Sequence, residues 1–170
     1  MDTMKTAVVA SKFKSNGTEI ATHVSADLPS ISRVAFDMNG AGVMGTVSVP
    51  VTGQFEAMEL SINTRGFSGE AGRLMALGEQ RLELLFSQDS HSVQKGIVPE
   101  GCKIYATGTF MKQESGSVVP GEASDGSVSF SVYRYEVYVA GKEVILIDQF
   151  KFIYRVNGKD LMEAVRKAIK

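Results

Sequence analysis

The sequence predicts a mainly β protein with one internal helix and a short C-terminal helix. Three observations carry this. Glycine is abundant, at 17 residues, and stands beside many Ser, Thr and Val, a mixture suited to strands joined by tight turns. Strict alternation of apolar and polar residues recurs, most plainly at Met58, Leu60 and Ile62 against Glu59, Ser61 and Asn63. Helical signals occur in two short stretches, each with an N-terminal capping residue.

The elements follow in order. Ala7 to Phe13 is extended, Ser15-Asn16-Gly17 turns the chain, Thr18 to Val24 returns, and Leu28-Pro29 closes the region. Ile31 to Met38 and Thr46 to Val51 flank Asn39-Gly40-Ala41-Gly42-Val43-Met44-Gly45. Three glycines in six residues exclude a stable helix there, because each costs roughly 1 kcal/mol against alanine. The stretch reads as an extended, partly exposed and flexible loop. Phe55 to Thr64 is a strand with one wet face.

Ser68 to Leu77 is the internal helix, capped by Ser68, with Leu74 and Leu77 on one face and Gly78 at its end. A strand Arg81 to Phe86, a polar loop Ser87 to Gly96 and a strand Lys103 to Lys112 follow. Gln113 to Gly126 is too polar and glycine-rich to order itself alone, so it is expected to stay mobile until something docks on it. Ser127 to Val139 and Val144 to Val156 form a long hairpin turned at Gly141. Asp160 caps a last helix whose Leu161, Val165, Ala168 and Ile169 share a side, with Arg166, Lys167 and Lys170 at its C-terminal end.

The whole chain sets bounds on function. At 170 residues it suits a single domain, 1–170. No apolar run approaches the ~20 residues of a spanning helix, and Met1 to Ala10 lacks the apolar core of a secretory signal, so export by that route is not expected. Net charge is −1, from 18 basic and 19 acidic side chains without a block of either sign, which gives no electrostatic grip on DNA. Cys102 stands alone, excluding an intramolecular disulfide and fitting a reducing cytoplasm; it reads as a small, half-buried hydrophobe.

Residues that could carry chemistry are few. His23 reads as a strand residue and His91 as part of the polar loop, in surface or capping roles, and no Cys or His pair has zinc-ligand spacing. No catalytic residue, cofactor or metal is expected. Gly40-x-Gly42-x-x-Gly45 matches the dinucleotide-binding string, yet a valine-alternating strand follows where the motif needs a helix. Glu56 and Glu59, an odd spacing apart, point to opposite faces of a strand. The aromatics Tyr133, Tyr135, Phe150, Phe152 and Tyr154 lack flanking cations on one face and read as packing residues.

Three blocks carry a resemblance. They are Leu28-Pro29 leading through Ile31 and Arg33 into Asn39 to Gly45; Arg65-Gly66-Phe67; and Tyr135 to Val144 running into Ile147-Asp148 and Val156-Asn157-Gly158-Lys159-Asp160. Together they resemble the major tail tube protein family of contractile-tailed bacteriophages, which phage-tail-like bacteriocins share.

The resemblance implies a β-sandwich or barrel-like tail tube fold and a structural, non-enzymatic subunit of a virion tail, assembled in the bacterial cytoplasm. Six copies would close into a homo-hexameric ring by edge-strand pairing, and rings would stack into a tube. Tail sheath, baseplate, tail terminator and tape-measure proteins are the implied partners, and double-stranded DNA would pass through the lumen without specific binding. The loop Asn39, Gly40, Ala41, Gly42, Val43, Met44 and Gly45 is the expected inter-ring contact, anchored by Val43 and Met44. Glu59, Ser61 and Asn63 are the expected lumen-facing residues, although either face of the sheet could line the interior. A type VI secretion tube, a bacteriocin tube and, from a different class, a ligand-binding β-barrel enzyme or carrier remain the alternatives.

Overall fold

The computed structural model describes residues 3–170 and shows one large sheet with a detached two-stranded arm. Met1 and Asp2, the start of the predicted non-signal segment, lie outside the described residues. The described residues form twelve strands and two short helices. They are β1 (Thr3–Ser15), β2 (Thr18–Glu19), β3 (His23–Asp27), β4 (Arg33–Met38), β5 (Val47–Phe55), β6 (Met58–Arg65), α1 (Gly69–Leu74), β7 (Glu79–Ser92), β8 (Gly96–Glu114), β9 (Asp125–Val139), β10 (Lys142–Asp148), β11 (Ile153–Val156), β12 (Lys159–Asp160) and α2 (Glu163–Ala168).

The main sheet runs β12-β11-β10-β9-β8-β7-β1-β2, with β6 and then β3 added beside β9. β9 is the spine. Its first half pairs with β6, from Arg65↔Asp125 to Met58↔Val132, and its second half pairs with β10, while β8 lies along its other edge. All these ladders are antiparallel, as expected where two-residue turns connect neighbours. Asn16-Gly17 and Ala140-Gly141 supply such turns, each with positive φ at both positions, which matches the right-handed twist of the flanking strands.

The sheet rolls over its own apolar face. Met58, Leu60 and Ile62 from β6 meet Leu82 and Leu84 from β7, Ile104 and Ala106 from β8, Val128 and Phe130 from β9, and Phe13 from β1 in one buried cluster. Phe130 and Ile62 are wholly excluded from solvent. Rolling brings β3 back to β1, where Ser11 Oγ and His23 Nε2 lie 3.2 Å apart and the Phe13 and His23 rings are 6.2 Å apart. Among the described residues no ladder joins β3 to β1, so the sheet is barrel-like in curvature and stays open.

Several sequence expectations need correction. Thr18 to Val24 is broken into β2 and β3 around a turn at Ala21-Thr22. Ser87 to Ser92 is strand, the distal half of β7, so His91 lies in a ladder opposite Ile97 and not in a loop. Its polar composition hides the strand because both faces of this end of the sheet are poorly covered, leaving no alternation to read. The predicted long strand Val144 to Val156 is two antiparallel strands. Asp148 Oδ1 accepts the backbone N–H groups of Phe150 and Lys151 at 3.1 and 3.0 Å, and Phe152 adopts φ 53°, reversing the chain.

The helices are also shorter than predicted. α1 ends at Leu74, which is buried, while Leu77 is 97% exposed and off the shared face. Ser68 occupies the N-cap position without a side-chain capping bond. Asp160 belongs to β12, and Met162 takes the N-cap position of α2. Cys102 is buried more deeply than expected, at 3% exposure, and that burial pushes its thiol pKa up.

Candidate assembly surfaces

The glycine-spaced loop sits at the tip of the arm formed by β4 and β5. Phe36 pairs with Val49 and Met38 with Val47, and neither strand pairs with the main sheet. Within the tip, Val43 N–H donates to the Gly40 carbonyl and Gly45 N–H to the Val43 carbonyl, both at 3.1 Å. Gly40, Gly42 and Gly45 all have positive φ, a conformation that costs a side-chain-bearing residue energy and excludes the helix of a dinucleotide fold. Met44 is fully exposed, Val43 is half-buried, and Phe36, Met38 and Val47 are exposed along the shaft. A two-stranded ribbon has no second layer under which to bury such side chains.

Glu59, Ser61 and Asn63 lie on the face of β6 opposite the core, as the alternation predicts. The ladders set them in rows. Glu59 lies beside Ser131, Ser61 beside Ser129 and Asn63 beside Ser127, while Asp27 and Ser25 of β3 flank Ser61 and Asn63 on the other side. The Asn63 amide donates to Ser25 Oγ at 2.9 Å and to Asp27 Oδ2 at 3.2 Å, tying edge strand β3 to β6. Lys112, the cation nearest Glu59, is bonded to Glu114; that carboxylate raises the lysine pKa and is itself held below the usual range by the lysine. The face is therefore a serine-rich, three-strand surface with its positive charge compensated.

A third surface is a strand edge. β1 gives one edge to β7 over almost its whole length, yet its other edge is paired only at Lys14 and Ser15, with β2. Met4, Val8 and Val9 stand exposed along the unpaired stretch. An edge of this length invites another strand.

A polar network lies on the outer face of β7 to β10, where no sequence motif marks it. Arg134 Nε donates to Glu136 Oε1 at 2.6 Å and Arg134 Nη1 to Asp148 Oδ2 at 2.9 Å, although both carboxylates are nearly buried. Tyr133 donates to Glu79, and burial followed by that carboxylate pushes its pKa up to about 12. The partners lie 54 and 14 residues apart, so only the strand register brings them together. The candidate aromatic platform is divided. Tyr133 packs edge-on against Phe150 at 4.7 Å, Tyr154 against Phe55 at 4.9 Å, and Tyr135 is in the core. Among the described residues no group of three or more His, Cys, Asp or Glu is placed to hold a metal ion.

An open strand edge, an arm with unburied apolar side chains and a polar sheet face are surfaces suited to contact with other chains, with no constellation of groups placed for catalysis among those described. The chain belongs to the phage tail tube protein FII family, whose pattern matches residues 7–169, and it is a structural protein, not an enzyme. Its fold is shared with a chain of the sheath–tube complex of PVC, an extracellular contractile injection system, in the extended state, with a TM-score of 0.54, 10% identity, and coverage of 75% of this chain and 87% of the other. A chain of the PVC sheath/tube terminator in the extended state gives the same TM-score and identity, covering 75% of this chain and 92% of that one. A chain of the six-fold symmetrised baseplate of the anti-feeding prophage (AFP) gives 0.53 at 9% identity, covering 81% and 99%. No curated protein is significantly similar in sequence.

Proposed function

We propose that this protein forms the inner tube of a contractile phage tail, closing into homo-hexameric rings that stack into a hollow conduit. The observation that carries this reading is the arm, whose apolar residues Phe36, Met38, Met44 and Val47 are left without full cover within the subunit. A second ring supplies that cover. The tip Asn39 to Gly45 makes the contact, with Met44 as its exposed anchor and Val43 bracing the loop. Within a ring, the unpaired edge of β1 is completed by a strand of the neighbour, which removes the aggregation hazard that an open edge carries.

The Glu59, Ser61 and Asn63 face lines the lumen. With Asp27 and Glu114 nearby and Lys112 paired, it offers phosphates no cluster of free cations, so double-stranded DNA and a tape-measure protein slide without being held. The tail sheath surrounds the tube, with a baseplate at one end and a terminator at the other, and the particle is assembled in the bacterial cytoplasm. A phage-tail-like bacteriocin or a type VI secretion tube would use the same surfaces for a different cargo, and the PVC and AFP likenesses favour keeping that second reading.

The test is the double substitution Val43→Asp and Met44→Asp. The variant is expected to remain folded and to form rings while failing to elongate into tubes under electron microscopy. Tubes of normal length would overturn the assignment of the arm.

A further inference from the structure

The arm joins the body at an irregularity in its own ladder. Arg33 pairs with Phe55 and Ala35 with Pro50, so Val34 alone on β4 is set against Val51, Thr52, Gly53 and Gln54 on β5. A bulge of this kind interrupts the ladder and bends the strand. On the body side of the bulge the chain is fixed. Glu56 N–H donates to the Ser32 carbonyl at 2.8 Å, Gln149 Nε2 lies 3.4 Å from the Phe55 carbonyl, and the Phe55 ring packs on Tyr154. On the tip side, β4 and β5 pair only with each other.

One side chain from elsewhere enters the bulge. Gly53 has φ +67° and no side chain, and the Met162 thioether occupies the space one would take: a Cβ built on Gly53 would overlap Met162 Sδ and Cε and lie 3.5 Å from its Cγ. Met162 is 3% exposed although α2, which it precedes, buries none of its own residues. Its backbone is anchored, because Asp160 Oδ1 accepts the Met162 N–H at 2.9 Å. Asp160 is in turn paired with Arg166, which also donates to the Phe152 carbonyl at 2.8 Å. A small cavity of about 90 Å³ borders Gly53, Phe55 and Met162, leaving the thioether room to withdraw.

We propose that the Val51–Gln54 bulge is a hinge and that the C-terminal segment Lys159–Lys170 is its latch, with Met162 as the pin that sets the direction of the arm before another subunit is met. Presetting the arm lowers the ordering cost of stacking. A thioether suits the task, since it is flexible and can leave the bulge without exposing a polar group that must be satisfied. Anything that draws on the C-terminal segment is thereby coupled to the arm. The functional consequence rests on the reading that the arm carries the contact between rings.

The experiment measures arm direction in the unassembled full-length subunit. Spin labels are placed at Ala41→Cys on the tip and Lys142→Cys on the body, in a Cys102→Ala background, and their distance distribution is read by double electron–electron resonance. The parent is expected to give a single narrow distribution. Met162→Ala should broaden it, Met162→Leu should keep it narrow, and Asp160→Ala, which leaves the pin in place but removes the carboxylate that accepts its N–H, should broaden it without removing any buried apolar atom. A distribution that stays narrow in both Met162→Ala and Asp160→Ala, with the β-sheet circular dichroism intact, overturns the latch. Broadening accompanied by unimpaired tubes leaves the latch standing and shows that stacking does not need a preset arm, whereas the double aspartate substitution at Val43 and Met44 tests the arm's own role.

Discussion

Asp160 accepts hydrogen bonds from Arg166, with Nη1 3.3 Å from Oδ1, and so fastens the C-terminal helix to β12, while the same guanidinium reaches the Phe152 carbonyl just before β11. The Arg166 guanidinium, then the Met162 N–H, hold the Asp160 carboxyl below the usual aspartate range. A depressed folded-state pKa contributes stability above the unfolded value and loses it as pH falls through the folded one. The protection factors of the α2 amides, taken against intrinsic exchange at each pH, should therefore fall on acidification below the ordinary aspartate range, and Asp160→Asn should show that lower protection already at neutral pH. Because the pair is partly exposed, the substitution is expected to cost about 1 kcal/mol or less in global stability.

Neighbouring positions on β6 should differ sharply. Leu60 is 2% exposed inside the main cluster, and its replacement by alanine should cost about 2–5 kcal/mol in chemical denaturation. Glu59 projects from the opposite face, and Glu59→Ala should lie within about 0.5 kcal/mol of the parent. Equal losses at the two positions would contradict the assignment of the faces.

Gly108 marks a close approach between β8 and β9. A Cβ there would overlap the Ser131 carbonyl oxygen, at a point where the β8–β9 register shifts between Thr107 and Gly108. Backbone cannot rotate away as a side chain can, so Gly108→Ala should cost about 1–3 kcal/mol in the same denaturation measurement.

The lumen assignment is open to thiol chemistry. A Ser61→Cys, Cys102→Ala variant should react with a bulky maleimide as a subunit and be largely protected once assembled, because the reagent cannot enter the bore. Equal labelling in both states would place the Glu59, Ser61 and Asn63 face on the outside.

How much of this was legible in the sequence depended on whether the signal was local. The β6 alternation, the Asn16-Gly17 and Gly141 turns and the three glycines of the arm tip were readable, because each is dictated by residues within a few positions. What failed was set by distant partners. The polar run Ser87 to Ser92 is strand because β1 and β8 hold it on either side, and the Arg134 network exists only because the β9–β10 register aligns Arg134 with Asp148. The break after Asp148 was the local signal missed, an aspartate able to cap its own turn inside an otherwise β-rich run. The arm's root shows the same limit, since nothing near Gly53 in the sequence announces Met162.

The proposed function requires that this open, arm-bearing subunit be completed by copies of its own chain. Electron microscopy of the purified protein tests it most directly. Hollow rods built of stacked six-fold rings are the predicted result, and a protein that stays monomeric at every concentration, without rings or rods, would contradict it.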